Sequence, residues 1–201
     1  MGCRQQAARQ VHDLHAAAAR HAAGDGGERP LYSQGVTNPD AKSARQGRGL
    51  LASLADPELI VPSLSSATKI GAIKELVNRL HVRGMVNDSL SFLQAVLERE
   101  TLESTIVGGN VALPHARSRA VNQLGMAVGL SRAPLDYPSG DDRRPVSLIC
   151  LIAVPAREPG SYLALLGSLA LTLSDADLRR ALLDATSADE LHHLLVGNHA
   201  C

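Results

Sequence analysis

Tryptophan is absent from the 201-residue chain, Phe92 is its one phenylalanine, and three tyrosines complete the aromatic set. Platforms that stack single-stranded bases are built from such side chains, so this class of nucleic-acid binding lacks its material. The interior must be assembled from Leu, Ile, Val and Ala instead. An excess of one charge is missing as well: 20 Lys and Arg balance 20 Asp and Glu. That leaves no basic footprint for DNA, RNA or an anionic membrane surface. Long apolar runs are missing too. The longest, around Val146 to Val154, is far short of the roughly 20 residues that span a bilayer, and the N-terminus lacks the apolar centre of a secretory signal. Met1-Gly2-Cys3 begins like a myristoylation signal, but Gln6 stands where Ser or Thr is required. These absences together indicate a cytoplasmic protein that neither inserts into a membrane nor binds nucleic acid.

Cysteine is scarce. Cys3, Cys150 and Cys201 form no CxxC or other ligand spacing, a pattern of reducing compartments in which Cys150 is a small core residue. His12, His15 and His21 lack a neighbouring Cys or carboxylate to complete a metal set. No nucleophile elbow is present either. No metal and no cofactor is expected.

Residues 1–55 are rich in Ala, Arg, Gly, Gln and His, and the Gly24 to Gly49 stretch carries many Gly, Ser, Pro and Asn residues. This reads as a mobile extension, with an Ala-rich helix conceivable over 5–22. The organised part begins near Asp56 and runs to residue 197. Ile70, Ile73, Val77 and Leu80 recur at helical spacing, with Ser66 or Thr68 as cap and Gly84 as stop. Asp88 caps a second helix to about Glu100, striped by Leu90, Leu93, Val96 and Leu97. Ile106 to Leu113 reads as a strand broken by Gly108-Gly109-Asn110. Leu124 to Leu130 alternates like a half-buried strand, and Val146 to Val154 fits a central strand covered on both faces. Pro134 to Pro145 reads as a polar connection. A Leu-rich helix from Ser161 to Leu173 follows, carrying Leu163, Leu166 and Leu169. Ser174 caps a short helix, and Ser187-Ala-Asp-Glu190 is a capping box for the last one. The order predicts an α/β fold: one domain with a mixed β-sheet sandwiched between α-helices.

The chemistry concentrates between Glu98 and Arg117. Pro114 has a fixed φ and restricts Leu113, so His115 leaves a strand end in a defined direction. A neutral imidazole has a free lone pair near pH 7 and suits nucleophilic attack on phosphorus. Such transfer is mostly positioning plus neutralisation of the phosphoryl oxygens. Arg99 can supply a bidentate cation, and the peptide groups of Gly108, Gly109 and Asn110 can donate hydrogen bonds. Arg99 equally suits a role at terminal helix carbonyls, and the glycines equally suit a bulge. The residue types alone rank His115 above the other histidines. His81 sits at a helix C-terminus, and the adjacent His192 and His193 diverge on a helix. His199 lies in the tail.

The assembled motif resembles the IIA domains of the bacterial phosphoenolpyruvate-dependent sugar phosphotransferase system, of the fructose–mannitol and nitrogen-regulatory type. It carries their Arg-Glu (Arg99-Glu100), Ser-Thr (Ser104-Thr105), Gly-containing turn and apolar strand ending in Pro114-His115. Arg132 to Asp136, Val146 to Pro155 and Leu163 to Asp175 match further family segments, so the likeness covers about residues 56–196. The resemblance implies that His115 accepts phosphate from the small carrier HPr and hands it to a IIB domain or uses it as a signal, with Arg99 beside it. It also places Tyr162 where many members have a second histidine, and Gly-Gly-Asn where Gly-Asn-Gly is common. Tyrosine can donate a hydrogen bond but cannot become a cation like imidazolium. The chain shows no channel or IIB segment, which favours the alternative reading: a regulatory module whose partner binding depends on the phosphorylation of His115.

Overall fold

A computed structural model of the chain describes residues 49–158 and 160–196. The conceivable helix over 5–22, His12, His15, His21, His199, Cys3 and Cys201 lie outside the described residues, as does most of the expected extension over 1–55. Residues 49–54 are helical, and Leu51 and Ala55 are buried in the core, so the organised chain starts ahead of Asp56.

The longest apolar run lies in strand β6 (Asp142–Pro155). Along it Ile149, Leu151 and Ala153 enter one hydrophobic cluster, and Leu148, Cys150, Ile152 and Val154 enter the other. Successive side chains point to opposite faces, so a strand covered on both faces is apolar without interruption. Strand β5 (Gly125–Ser139) pairs antiparallel with β6 over almost its whole length. The other edge of β6 receives two short strands end to end. Both β3 (Val111–Ala112) and β4 (His115–Ser118) run parallel to it. Strand β2 (Ile106–Gly108) forms an antiparallel pair with β3, and β1 (Ile60–Val61) lies parallel to β5. The order is β1-β5-β6-β3-β2, with β4 on β6.

Helices α1 (Lys69–Val82) and α2 (Ser89–Leu102) supply the cluster on one face. Helices α3 (Ser161–Thr172), α4 (Ala176–Asp184) and α5 (Ala188–Val196) supply the other. The mixed sheet between helical layers agrees with the expected fold class. Among the described residues no helix is long and apolar enough to cross a membrane.

The caps follow local chemistry. Thr68, rather than Ser66, accepts from the Gly71 amide at the start of α1, and Asp88 accepts from Leu90 and Ser91 at the start of α2. Gly84 ends the α1 region at φ 72°, where a side chain would be strained. Two expectations shift by one residue. Asp175, not Ser174, caps α4, accepting from Asp177 and Leu178, while the Ser174 hydroxyl turns back to the Leu171 carbonyl. At α5 the Ser187 hydroxyl accepts from the Glu190 amide, but Glu190 reaches back to Thr186.

Larger corrections concern faces and pairing. Residues 134–145 are not a connection: they complete β5, turn at Gly140 and begin β6, with Leu135 opposite Val146 and Ser139 opposite Asp142. Asp136, Arg143 and Arg144 face solvent there, Tyr137 and Ser139 are buried, and the backbone stays paired. Gly125 to Ser131 is buried on both faces, not half-buried. The helical stripes hold along most of their length, with Ile73, Val77, Leu80 and Leu169 buried, but fail at their first members. Leu90, Leu163 and Ile70 are exposed at 74%, 60% and 58%, whereas Phe92, Val96 and Leu165 are fully buried. Periodicity indicates that a stripe exists; the sheet beneath decides which neighbouring residues it contains. Truncating Phe92 to Ala should cost about 3–5 kcal/mol in denaturant unfolding, and Leu90 to Ala no more than about 0.5 kcal/mol. Equal losses would mean that α2 is turned differently.

Candidate functional site

The site begins with a break in the strand beside β6. Val111 and Ala112 pair with Leu148 and Ile149, and His115 and Ala116 pair with Ile152 and Ala153. Both short strands keep one register on β6, with Leu113 and Pro114 between them. Pro114 has no N–H to give, but its carbonyl accepts from the Ile152 amide at 2.9 Å. The Leu113 amide is spent on the Thr105 carbonyl at 2.9 Å. This leaves the Leu113 carbonyl for the ring of His115, whose Nδ1 lies 2.9 Å away.

A carbonyl oxygen only accepts, so Nδ1 carries the ring proton and Nε2 keeps its lone pair. His115 is partly buried. Burial holds its pKa below the ordinary 6.5; the Leu113 carbonyl opposes that shift, the Arg99 charge adds to it and the Glu100 charge opposes it. The net direction favours the neutral ring, the form that can act as a nucleophile.

Arg99 sits in the last turn of α2, in a helix packed on β4. Its guanidinium donates to the Glu103 carbonyl at 3.1 Å and pairs with the Glu103 carboxylate at 3.3 Å. Its positive charge acts on the His115 ring from a helix packed on the strand that carries that histidine. The next residue, Glu100, is the least expected feature of the site. It is 2% exposed. The Lys69 ammonium lies 2.8 Å from one of its carboxylate oxygens, and the Thr105 hydroxyl donates to the other. Lys69 also sits 4.5 Å over the ring of buried Tyr137. This ion pair ties α1, the end of α2 and the β5–β6 hairpin together behind the histidine. Reading Glu100 as a helix end hid it; its place at i+4 from Val96 and i+8 from Phe92 was the available signal.

Tyr162, in the first turn of α3, packs on the hydrophobic cluster and carries the Arg117 guanidinium 5.2 Å over its ring. Ala116 belongs to the α1–α2 side of the core, so alternation puts His115 and Arg117 on the opposite face, the one toward α3. Tyr162 is therefore linked, through Arg117, to the strand that carries His115.

The structure does not bring Gly108, Gly109 and Asn110 to the ring. They adopt φ values of 99°, 56° and 63°, and Asn110 takes the left-handed geometry it tolerates. The turn leads into β3 four residues before His115, roughly 13 Å away at the rise of an extended strand. There the Asn110 carbonyl accepts from Ser147 and Leu148 at 2.8 and 3.0 Å. Arg179 covers Gly109 closely enough that a Cβ would collide with it. The turn anchors β3. The other histidines are separate: His81 holds the Val86 carbonyl, and His192 and His193 lie on α5. Among the described residues no group of three or more His, Cys, Asp and Glu side chains could hold a metal.

The sequence and the fold match known proteins. Residues 53–197 match the family "Phosphoenolpyruvate-dependent sugar phosphotransferase system, EIIA 2". The chain belongs to this EIIA family. The fructose-specific EIIA component of Haloferax volcanii is 36% identical over 138 residues, covering 69% of this chain and 89% of that protein. The 2-O-alpha-mannosyl-D-glycerate-specific EIIABC component of Escherichia coli is 35% identical over 121 residues, 60% of this chain, which spans only 18% of that protein's length. The crystal structure of the nitrogen regulatory protein IIA-Ntr from Neisseria meningitidis superposes with a TM-score of 0.66 at 29% identity, covering 73% of this chain and 99% of that one. The Escherichia coli mannitol IIA, in its complex with phosphorylated IIB, gives 0.59 at 28%, covering 70% and 96%.

The depressed pKa has a definite sign. A histidine held neutral stabilises the fold above its unfolded-state value near 6.5, and that contribution is lost as pH falls below it. Ring NMR should therefore show His115 titrating below 6.5 with the proton on Nδ1. A midpoint at or above that value would contradict the geometry.

Proposed function

We propose that this EIIA domain is a phosphocarrier in which Nε2 of His115 accepts a phosphoryl group from an HPr-like phosphoprotein. The observation that carries the reading is the hydrogen bond from Nδ1–H to the Leu113 carbonyl, which directs the free lone pair outward from a ring kept neutral. Attack on phosphorus forms the Nε2–P bond as the donor's P–N bond breaks, the electron pair returning to the donor's imidazole. The positive charge gained by the ring is shared with the Leu113 carbonyl through the Nδ1 proton. Arg99 offsets the negative phosphoryl oxygens. The reverse attack, by a nucleophile of the next protein, discharges the domain.

The onward acceptor in this reading is a IIB domain. Its support is the solved pairing of mannitol IIA with phosphorylated IIB in a related protein. The similarity to nitrogen regulatory proteins favours a second reading, in which phosphorylated and free His115 present different surfaces to a regulatory target.

Incubation with phosphoenolpyruvate, enzyme I and HPr should add one acid-labile phosphoryl group by intact mass. His115→Ala should abolish it, and Arg99→Ala should slow it about 100-fold while leaving thermal unfolding close to wild type. No labelling under conditions that charge a control IIA domain would sink the reading. Discharge by a sugar-specific IIB domain separates transport from regulation: a stable label in its presence supports the second role.

A further inference from the structure

The geometry points to Arg117 as the second cation of the phosphoryl site, held in place by the ring of Tyr162. This rests on His115 being the acceptor and adds a binding residue to it.

Arg117 follows His115 by two residues on β4. Their Cα atoms are therefore roughly 7 Å apart on one face of the strand, well within the length of an arginine side chain. Most described arginines near acids are already satisfied: Arg83 by Asp56, Arg143 by Asp136, Arg144 by Asp142 and Arg180 by Asp177. Arg117 enters none of the ion pairs among the described residues. Its recorded contact is the face of Tyr162, 5.2 Å from the ring centroid. A guanidinium stacked this way keeps its in-plane N–H groups free for an anion.

The site also calls for such a charge. A phosphoryl group brings close to two negative charges. Arg99 is shared with the Glu103 carboxylate, 3.3 Å away, and buried Glu100 adds a negative field at the ring. One partly neutralised arginine leaves the phosphoryl oxygens under-compensated. Arg117 approaches from the α3 side, where no acid is paired with it. Tyr162 is suited to hold it, because its ring is anchored in the core cluster between α3 and the sheet. Tyr162 is thus a positioning residue: its ring, rather than its hydroxyl, sets the arginine.

A small phosphodonor separates this role from protein docking, since exposed Arg117 could also meet a partner. With phosphoramidate the P–N bond breaks, its electron pair leaves with ammonia, and Nε2–P forms. Arg117→Ala should slow labelling by phosphoramidate roughly tenfold, and Arg117→Lys should restore part of the rate. Tyr162→Ala should match Arg117→Ala, Tyr162→Phe should stay near wild type, and the double alanine variant should be no slower than Arg117→Ala. Wild-type phosphoramidate labelling in Arg117→Ala, with slowing only toward phospho-HPr, would assign Arg117 to docking and overturn the proposal. Slow labelling of Tyr162→Phe would overturn the positioning role of the ring. Failure of the wild-type chain to label at His115 would instead remove the phosphocarrier reading itself.

Discussion

The single register that β6 imposes on β3 and β4 is the constraint from which the site follows. Two short strands, interrupted by Leu113 and Pro114, could each slide on a free edge. They do not, because the Asn110 carbonyl takes the Ser147 and Leu148 amides at one end and the Pro114 carbonyl takes the Ile152 amide beyond the break. A slip of one residue would exchange the faces of Ala116 and Arg117 and carry His115 to the wrong layer. β6 resists such a slip because both of its own faces are packed, so its side chains cannot exchange places without emptying two clusters at once. The break has a use of its own: it frees the Leu113 carbonyl from the ladder to orient the imidazole.

Around this backbone the charges are arranged in depth. At the surface of the site, Arg99 is steadied by Glu103 and Arg117 lies on Tyr162. Behind it, the Glu100 carboxylate is sealed with Lys69 and Thr105 under the hairpin formed by β5 and β6. A buried ion pair contributes little net stability, but it penalises any arrangement that separates its members. Here the members come from α1, α2 and the loop before β2, so the pair fixes the end of α2 and with it the base of Arg99. Position, more than strength, is what phosphoryl transfer asks of such groups.

Much of the architecture was legible in the chain. The apolar run of β6, the caps at Thr68 and Asp88, and the turn after Gly108 all rest on local physics that tertiary packing did not override. What misled was information that is local in appearance but global in origin. The segment from Pro134 to Pro145 looks like a loop because of its prolines and charged residues, yet a buried face of Leu135, Tyr137 and Ser139 and pairing with the other arm keep it extended. Leu90 and Leu163 belong to apolar stripes by spacing and stand exposed, because the sheet covers each stripe only along part of its helix. At the site, Arg99 and His115 were identifiable as candidates from residue chemistry and motif resemblance together. Glu100 was not, since a carboxylate near a helix end is ordinarily solvated and only the hairpin covering it makes it buried.

For His115 the division is clear. The chain by itself determined a histidine with a defined direction: Pro114 locks one dihedral and biases its neighbour, and that restriction acts within three residues wherever they are placed. Its surroundings were decided by the tertiary structure. The protonated nitrogen depends on a carbonyl freed by the strand break, and the lowered pKa depends on burial between layers. The turn at Gly108 to Asn110 lies close to His115 in sequence but at the far end of an extended segment, whereas Tyr162 is distant in sequence and meets Arg117, two residues after His115. Extended strands separate neighbours by over 3 Å per residue, and a sheet with parallel pairs returns distant segments to the same end. That is why the partners of this histidine could be found only once the strands were in register.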